Sequence, residues 1–196
     1  MGRVATLQKV ETSPRIAIKS VRAAKACPNC PVQPRCVPAA FEPGLMHEFE
    51  QLVGQQARVR KGESLYRIGD TFEALFAIQS GSFKTVTLSE DGYEQLTGYR
   101  FPGEVMGSDR IDIGAYREEA FAIVDSEVCP LPFDAVERLA SRRPALERSL
   151  YRLLSREVAR DRRSMLLLGS IRAEQRLVAF LLDVAARYQA LGIFTV

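Results

Sequence analysis

At 196 residues, with 46% hydrophobic and 26% charged side chains, the chain is sized for one full domain with an appended element and has the composition of a soluble globular protein. No apolar run approaches the roughly 18 residues of a membrane span, and the N-terminus carries scattered bases without the apolar core of a secretory signal, so a cytoplasmic protein with no membrane partner is expected. A net charge of +3 is too small to argue for nucleic acid by itself.

Residues 1–24 lack sustained periodicity and read as a flexible lead-in, with a short extended piece at Arg15 to Ile18. Next, Ala26 to Cys36 packs three of the four cysteines into eleven residues. Cys27, Cys30 and Cys36 are spaced C-x2-C-x5-C, and Pro28, Pro31, Pro34 and Pro38 exclude regular helix, so a loop is expected over 25–40. Thiolates converging from a loop, joined by one from the remote Cys129, form the all-sulfur cage that soft metals and iron–sulfur clusters prefer. Disulfides are rare in a reducing cytosol, and structural zinc usually draws on two close pairs rather than three local ligands and one distant one. Iron–sulfur leads; zinc and free or disulfide-forming thiols stay as alternatives.

From Phe41 to Val53 the positions Phe41, Leu45, Phe49, Leu52 and Val53 recur at helical steps and predict a short amphipathic helix. Gly62, Gly69, Gly81, Gly92 and Gly103 then follow at steps of 7, 12, 11 and 11 residues. Between and after them lie the β-prone runs Leu65 to Ile68, Leu75 to Gln79, Phe83 to Leu88, Gln95 to Arg100 and Phe121 to Val128, which predict an antiparallel roll. Glu90-Asp91-Gly92 is the clearest hairpin turn. After Pro132 the pattern turns helical: a short helix over Phe133 to Ala140, then a long one from Pro144 to about Gly169. On it Leu150, Leu154, Val158, Asp161, Met165 and Leu168 follow steps of 4, 4, 3, 4 and 3, a narrow stripe flanked by charge as in a two-helix coiled coil. A last helix, Arg172 to Leu191, is expected to bury Leu177, Phe180, Leu181 and Val184, with Gly192 as its C-cap.

This combination resembles the Fnr-type oxygen sensors of the CRP/FNR transcription-regulator family. The resemblance covers about residues 25–192 and is carried by the cysteine spacing, by the long helix Ser155 to Leu168, and by Gln79-Ser-Gly81, Glu94-Gln-Leu-Thr-Gly98 and Arg176-Leu-Val-Ala-Phe180. It implies an α+β chain: a cysteine-rich N-terminal loop, an antiparallel β-roll of the jelly-roll, cyclic-nucleotide-binding-like type, a long dimerisation helix and a following helix. It also implies that Cys27, Cys30, Cys36 and Cys129 hold a [4Fe-4S] cluster, and that oxygen converts the cluster, loosens a homodimer and so releases DNA. The expected division is 1–24, flexible N-terminus; 25–40, cluster-binding loop; 41–132, helix plus β-roll; 133–170, short helix and dimerisation helix; and 171–196, a helix leading toward a DNA-binding domain.

In the family that last helix leads into a helix-turn-helix domain, whereas this sequence stops at Val196. Promoter DNA and RNA polymerase are therefore expected as partners of a full-length form, and this chain is expected to be a sensory and dimerisation module. Asp161 on the seam is the implied dimer switch: two carboxylates about 4 Å apart across a two-fold axis repel by about 4 kcal/mol at an effective dielectric of about 20. The simpler alternatives are neutralisation by Arg160, Arg162 or Arg163, or rotation to solvent. Cyclic nucleotide is not expected, because Arg117-Glu118-Glu119-Ala120 places acids where a cyclic phosphate would dock. Arg35 could tune access to the cysteines or be a plain surface residue, and His47 reads as surface. No nucleophile–base pair and no Walker motif is present, so an enzyme is not expected.

Overall fold

A computed structural model describes residues 27–53, 56–89, 92–111, 114–170 and 172–192, without the side chains of 40, 110, 163–170 and 173. The N-terminal lead-in with Arg15 to Ile18, Glu90 and Asp91 of the expected turn, and the seam side chains of Met165 and Leu168 lie outside the described residues.

The helices are α1 (Pro43–Leu52), α2 (Phe133–Ala140), α3 (Pro144–Ser170) and α4 (Ala173–Ala190). The strands are β1 (Ala57–Val59), β2 (Ser64–Tyr66), β3 (Ala74–Ser80), β4 (Phe83–Leu88), β5 (Glu94–Arg100), β6 (Val105–Met106), β7 (Glu119–Ala122) and β8 (Ser126–Pro132). They form two antiparallel sheets, ordered β1-β8-β3-β6 and β2-β7-β4-β5. The glycine rhythm marks turns, since all five glycines sit at positive φ. The expected single strand from Phe121 to Val128 is instead two: β7 pairs with β2 and β4 in one sheet and β8 with β1 and β3 in the other. Residues 123–125 carry the chain across, held where Lys61 N–H donates to Asp125 Oδ1 at 2.9 Å. The short strands β1 and β6 had no distinct sequence signal.

Strand alternation sorts the side chains into two cores. Ala74, Phe76 and Ile78 of β3 point between the sheets, where Tyr66 stacks on Tyr116 with ring centroids 4.2 Å apart. Leu75 and Ala77 point out from the first sheet, where Leu45 and Phe49 of α1, Val136 and Leu139 of α2, and Leu146 of α3 cover them. The full burial of Leu146 contributes roughly 1.5–3 kcal/mol to holding the start of α3 on the roll.

Along α3 the face toward the roll is Leu146, Leu150, Leu153, Glu157 and Arg160, apolar at first and then ionic. Glu157 lies 3.4 Å from Arg100 of β5, and Arg160 lies 3.2 Å from Glu104 in the turn before β6. Burial raises the Glu157 carboxyl pKa above its ordinary value. Turned about a quarter of a circle away, Tyr151, Leu154 and Val158 are 61%, 36% and 50% exposed and form a stripe with the exposed Asp161. Leu150 is half-buried against the chain's own core.

The last helix departs from expectation. Leu177 and Leu181 are exposed rather than buried, with Val178 and Leu182 beside them, while Phe180 is 39% exposed and Val184 is half-buried. The face of α4 toward the roll is mixed: Phe180 meets Tyr99, Tyr188 meets Phe101, and Arg187 lies over the Phe101 ring while pairing with Asp183 at 2.6 Å. Gly192, at φ 71°, ends the helix in the left-handed conformation expected of a C-cap glycine.

Candidate metal centre

The cysteine segment is not a featureless loop. It is a run of short 3-10 turns at Cys27–Asn29, Gln33–Arg35 and Val37–Ala40. Each cysteine carbonyl opens a turn: Cys30 N–H donates to Cys27 O, Gln33 N–H to Cys30 O, and Ala39 N–H to Cys36 O. A 3-10 turn has about three residues per revolution, so positions three apart share a side. Residues 27, 30, 33 and 36 fall on that period and all line one cleft, while Pro28, Pro31 and Pro34, offset by one, are exposed. This three-residue period was readable in the sequence and was missed. Glu50 of α1 anchors the first turn by accepting from Cys27 N–H at 2.7 Å.

The fourth thiol comes from the roll. Cys129 stands in the middle of β8, opposite Ala77 of β3, and the alternation that sends Val128 into the roll sends Cys129 and Leu131 out toward the loop. All four cysteines line one cleft enclosing about 360 Å³ of empty space, part of it open to solvent, and its remaining walls include Phe49, Val53, Ala77 and Leu131. Among the described residues, no three His, Cys, Asp or Glu side chains converge on a single ion-sized point. All four are free cysteines.

Burial raises three of the thiols, Cys27 to a pKa of about 11 and Cys36 and Cys129 to about 12. The nearby Glu50 charge adds to the shift at Cys27, and the neighbouring cysteines raise all three. Without a cation they are protonated; a bound metal would reverse this by holding them as thiolates.

Two amides border the thiols. Gln79 Nε2 donates to Cys30 Sγ at 3.8 Å, while its Oε1 is buried without a partner. Gln56 faces Cys129, lowering that thiol's pKa, yet its buried Nε2 closes no hydrogen bond. A donor left without an acceptor beside Cys129 fits an acceptor-rich group of thiolates and sulfides held by the four cysteines. The sequence placed neither glutamine at the site, although Gln79 belongs to a motif that carries the resemblance; an amide inside the apolar run of β3 was the available signal.

Residues 56–143 match the cyclic nucleotide-binding domain family. The chain is 36% identical over 166 residues to the transcriptional activator protein anr of Pseudomonas aeruginosa, covering 85% of this chain and 68% of that relative. The chain belongs to the CRP/FNR family of transcription regulators. Within that family it is 34% identical over 180 residues to the transcriptional activator protein FnrA of Stutzerimonas stutzeri, covering 92% and 73% of the two chains. Its fold matches FixK2 from Bradyrhizobium japonicum with a TM-score of 0.64 at 28% identity, covering 69% of this chain and 68% of that one. The α+β architecture expected from the sequence is that of the family, and the chain is a regulator rather than an enzyme. No described helix is long and apolar enough to cross a membrane.

Proposed function

We propose that this chain is the sensory and dimerisation part of a cytoplasmic, oxygen- or redox-responsive transcription regulator in which Cys27, Cys30, Cys36 and Cys129 hold a [4Fe-4S] cluster. The observation that carries this reading is the meeting of four thiols, three from one run of turns and one about a hundred residues away, around a single apolar cleft. Relatives bearing the printed name "Anaerobic regulatory protein", such as that of Haemophilus influenzae at 33% identity, support the direction of the response. Three thiols from one run of turns and a fourth from a distant strand suit a cluster better than a structural zinc, which usually draws on two close pairs.

When bound, such a cluster supplies an iron–sulfide core whose state depends on oxygen. The chain's own residues do the rest. Cys129 belongs to the rigid roll, and Cys36 opens the turn Val37–Ala40, which packs on α3 where Val37 shares a core with Leu146. Fixing Cys36 to Cys129 therefore fixes that turn against the start of α3, and freeing Cys36 frees it. The stripe Tyr151, Leu154, Val158 and Asp161 is the surface through which α3 pairs with a second copy, and the sequence spacing would continue that seam to Met165 and Leu168. Promoter DNA and RNA polymerase are the partners of a form that carries a DNA-binding domain.

The test is the visible spectrum of protein purified without oxygen, with iron, sulfide and zinc assayed on the same sample before and after air. Brown absorption with about four irons and about four sulfides per chain, lost in air, is expected. A colourless chain carrying one zinc would overturn the reading.

The roll gives no support to a cyclic nucleotide as ligand. Half-buried Glu118, its carboxyl pKa raised by burial, stands near Arg100, while Thr97 Oγ1 donates to Thr85 Oγ1 at 2.8 Å and Thr85 Oγ1 to Gly98 O at 3.5 Å. Those hydroxyls bond to one another and to the backbone, Arg100 pairs with Glu157 of α3, and the Glu118 carboxyl stands where an anion would have to come. Calorimetric titration with cyclic AMP is expected to give no saturable heat; a fitted binding isotherm would refute this.

A further inference from the structure

The carboxylate of Glu104 joins parts of the molecule that the sequence keeps far apart. Its Oε1 accepts from the Arg160 guanidinium of α3 at 3.2 Å and from the Arg187 guanidinium of α4 at 3.5 Å. Its Oε2 accepts from Phe101 N–H at 3.1 Å, which fixes the side chain to its own turn. The turn is clipped in both directions to β3, with Ile78 N–H donating to Glu104 O at 2.9 Å and Gly103 N–H donating to Ile78 O at 2.8 Å. The next residue of β3 is Gln79, which holds Cys30.

The cysteine segment also touches this turn directly. Gly103 has φ 87°, and a Cβ built there would meet Arg35 Cβ at 3.0 Å, so the side chain preceding Cys36 lies in the space that the glycine leaves open. Arg35 is an exposed residue, as the simpler expectation had it, with the stem of its side chain packed on Gly103. It is a packing contact between the cysteine segment and the 103–104 turn.

These ion pairs are not solvated surface contacts. The side chains of Glu104, Arg160 and Arg187 are 16%, 21% and 20% exposed, so a charge that loses its partner there is poorly rehydrated. Arg160 has a second anchor in Glu157, and Arg187 has Asp183 and the Phe101 ring. Glu104 is the anchor that the two helices share.

We propose that Glu104 is a positioning residue that couples the cysteine segment to α3 and α4. With the segment seated, Arg35 and β3 hold the 103–104 turn, and Glu104 draws Arg160 and Arg187 to one point, setting the rotation of α3 and the angle of α4. With the segment released the turn relaxes, and both helices lose their common anchor. The physiological meaning of this coupling rests on the proposed function, in which the cysteine segment is the sensing element.

Coupling of this kind is reciprocal, so releasing the helices must loosen the cysteines, and this can be tested without any cluster. In the reduced, metal-free chain, alkylation of Cys36 relative to Cys129 and amide hydrogen exchange across residues 173–190 are measured in the unchanged protein, in Glu104→Gln and in Arg160→Gln/Arg187→Gln. Both variants are expected to raise helix exchange and the Cys36-to-Cys129 alkylation ratio by about fivefold or more, the low end of measured couplings. The double variant keeps Glu104 in its turn and carries the test if Glu104→Gln does not fold. Faster helix exchange with an unchanged alkylation ratio would reduce Glu104 to a local clasp and overturn the inference. A chain that assembles no iron and sulfide would overturn the proposed function instead, and leave this result standing.

Discussion

Cys129→Ser is expected to yield a folded chain that retains almost no iron or sulfide after anaerobic reconstitution, against about four of each in the unchanged protein. The change removes one sulfur and leaves the β8 ladder intact, since Cys129 contributes to the pairing with Ala77 only through its backbone. Its side chain is partly exposed at the edge of the cleft, so the melting temperature of the metal-free chain should move little. The effect on the site is large for a different reason. Cys27, Cys30 and Cys36 all belong to one run of turns, and Cys129 is the single donor from the rigid sheet. A serine hydroxyl is a harder, less readily ionised donor than a thiol and is a poor substitute toward soft iron–sulfide. Iron, sulfide and circular dichroism measured on one preparation decide the matter. A serine variant with full iron and sulfide would remove Cys129 from the ligand set and return the zinc and free-thiol readings to consideration.

Asp161→Ala is expected to dimerise without a cluster, with association at least about tenfold tighter than that of the unchanged metal-free chain. Asp161 is exposed and follows Tyr151, Leu154 and Val158 on the outward face of α3. Two copies meeting on that stripe would bring two carboxylates together. The repulsion of about 4 kcal/mol at 4 Å and a dielectric of about 20 is an upper figure, because water and salt screen an exposed pair. A third of it, about 1.4 kcal/mol, already corresponds to the tenfold change. The structure weakens one alternative: Arg160 is engaged by Glu157 and Glu104 on the roll side of the helix and is poorly placed to neutralise Asp161. Sedimentation velocity over a range of concentrations gives the answer, and the difference between the chains should shrink as salt rises. A metal-free Asp161→Ala chain that stays monomeric wherever the unchanged chain does would end the switch reading.

The same helix shows where periodicity stops being informative. Leu150, Leu154, Val158 and Asp161 share a stripe in the sequence, and the structure keeps Leu154, Val158 and Asp161 outward. Leu150, at the stripe's edge, packs into the chain's own core, while Tyr151, absent from the expected stripe, is well exposed. Helical spacing says which residues lie together on a face. It does not say what that face meets. On α4 the ambiguity was greater, because apolar residues surround much of the helix; docking through Phe180, Arg187 and Tyr188 left Leu177 and Leu181 outside.

By itself the sequence determined the local chemistry. Prolines and a three-residue spacing dictated tight turns with Cys27, Cys30 and Cys36 on one side, glycines able to take positive φ dictated where strands reverse, and helical periodicity dictated α1 to α4. These are properties of neighbours in the chain, set by sterics over a few residues. What only the tertiary structure decided is which distant groups meet. The crossing from β7 to β8 fixed the register that turns Cys129 outward toward the other thiols, and the seating of both helices on the roll made Glu104 their shared partner. Such meetings follow from packing two sheets and four helices around common cores, where a one-residue change of register sends each strand side chain to the opposite face.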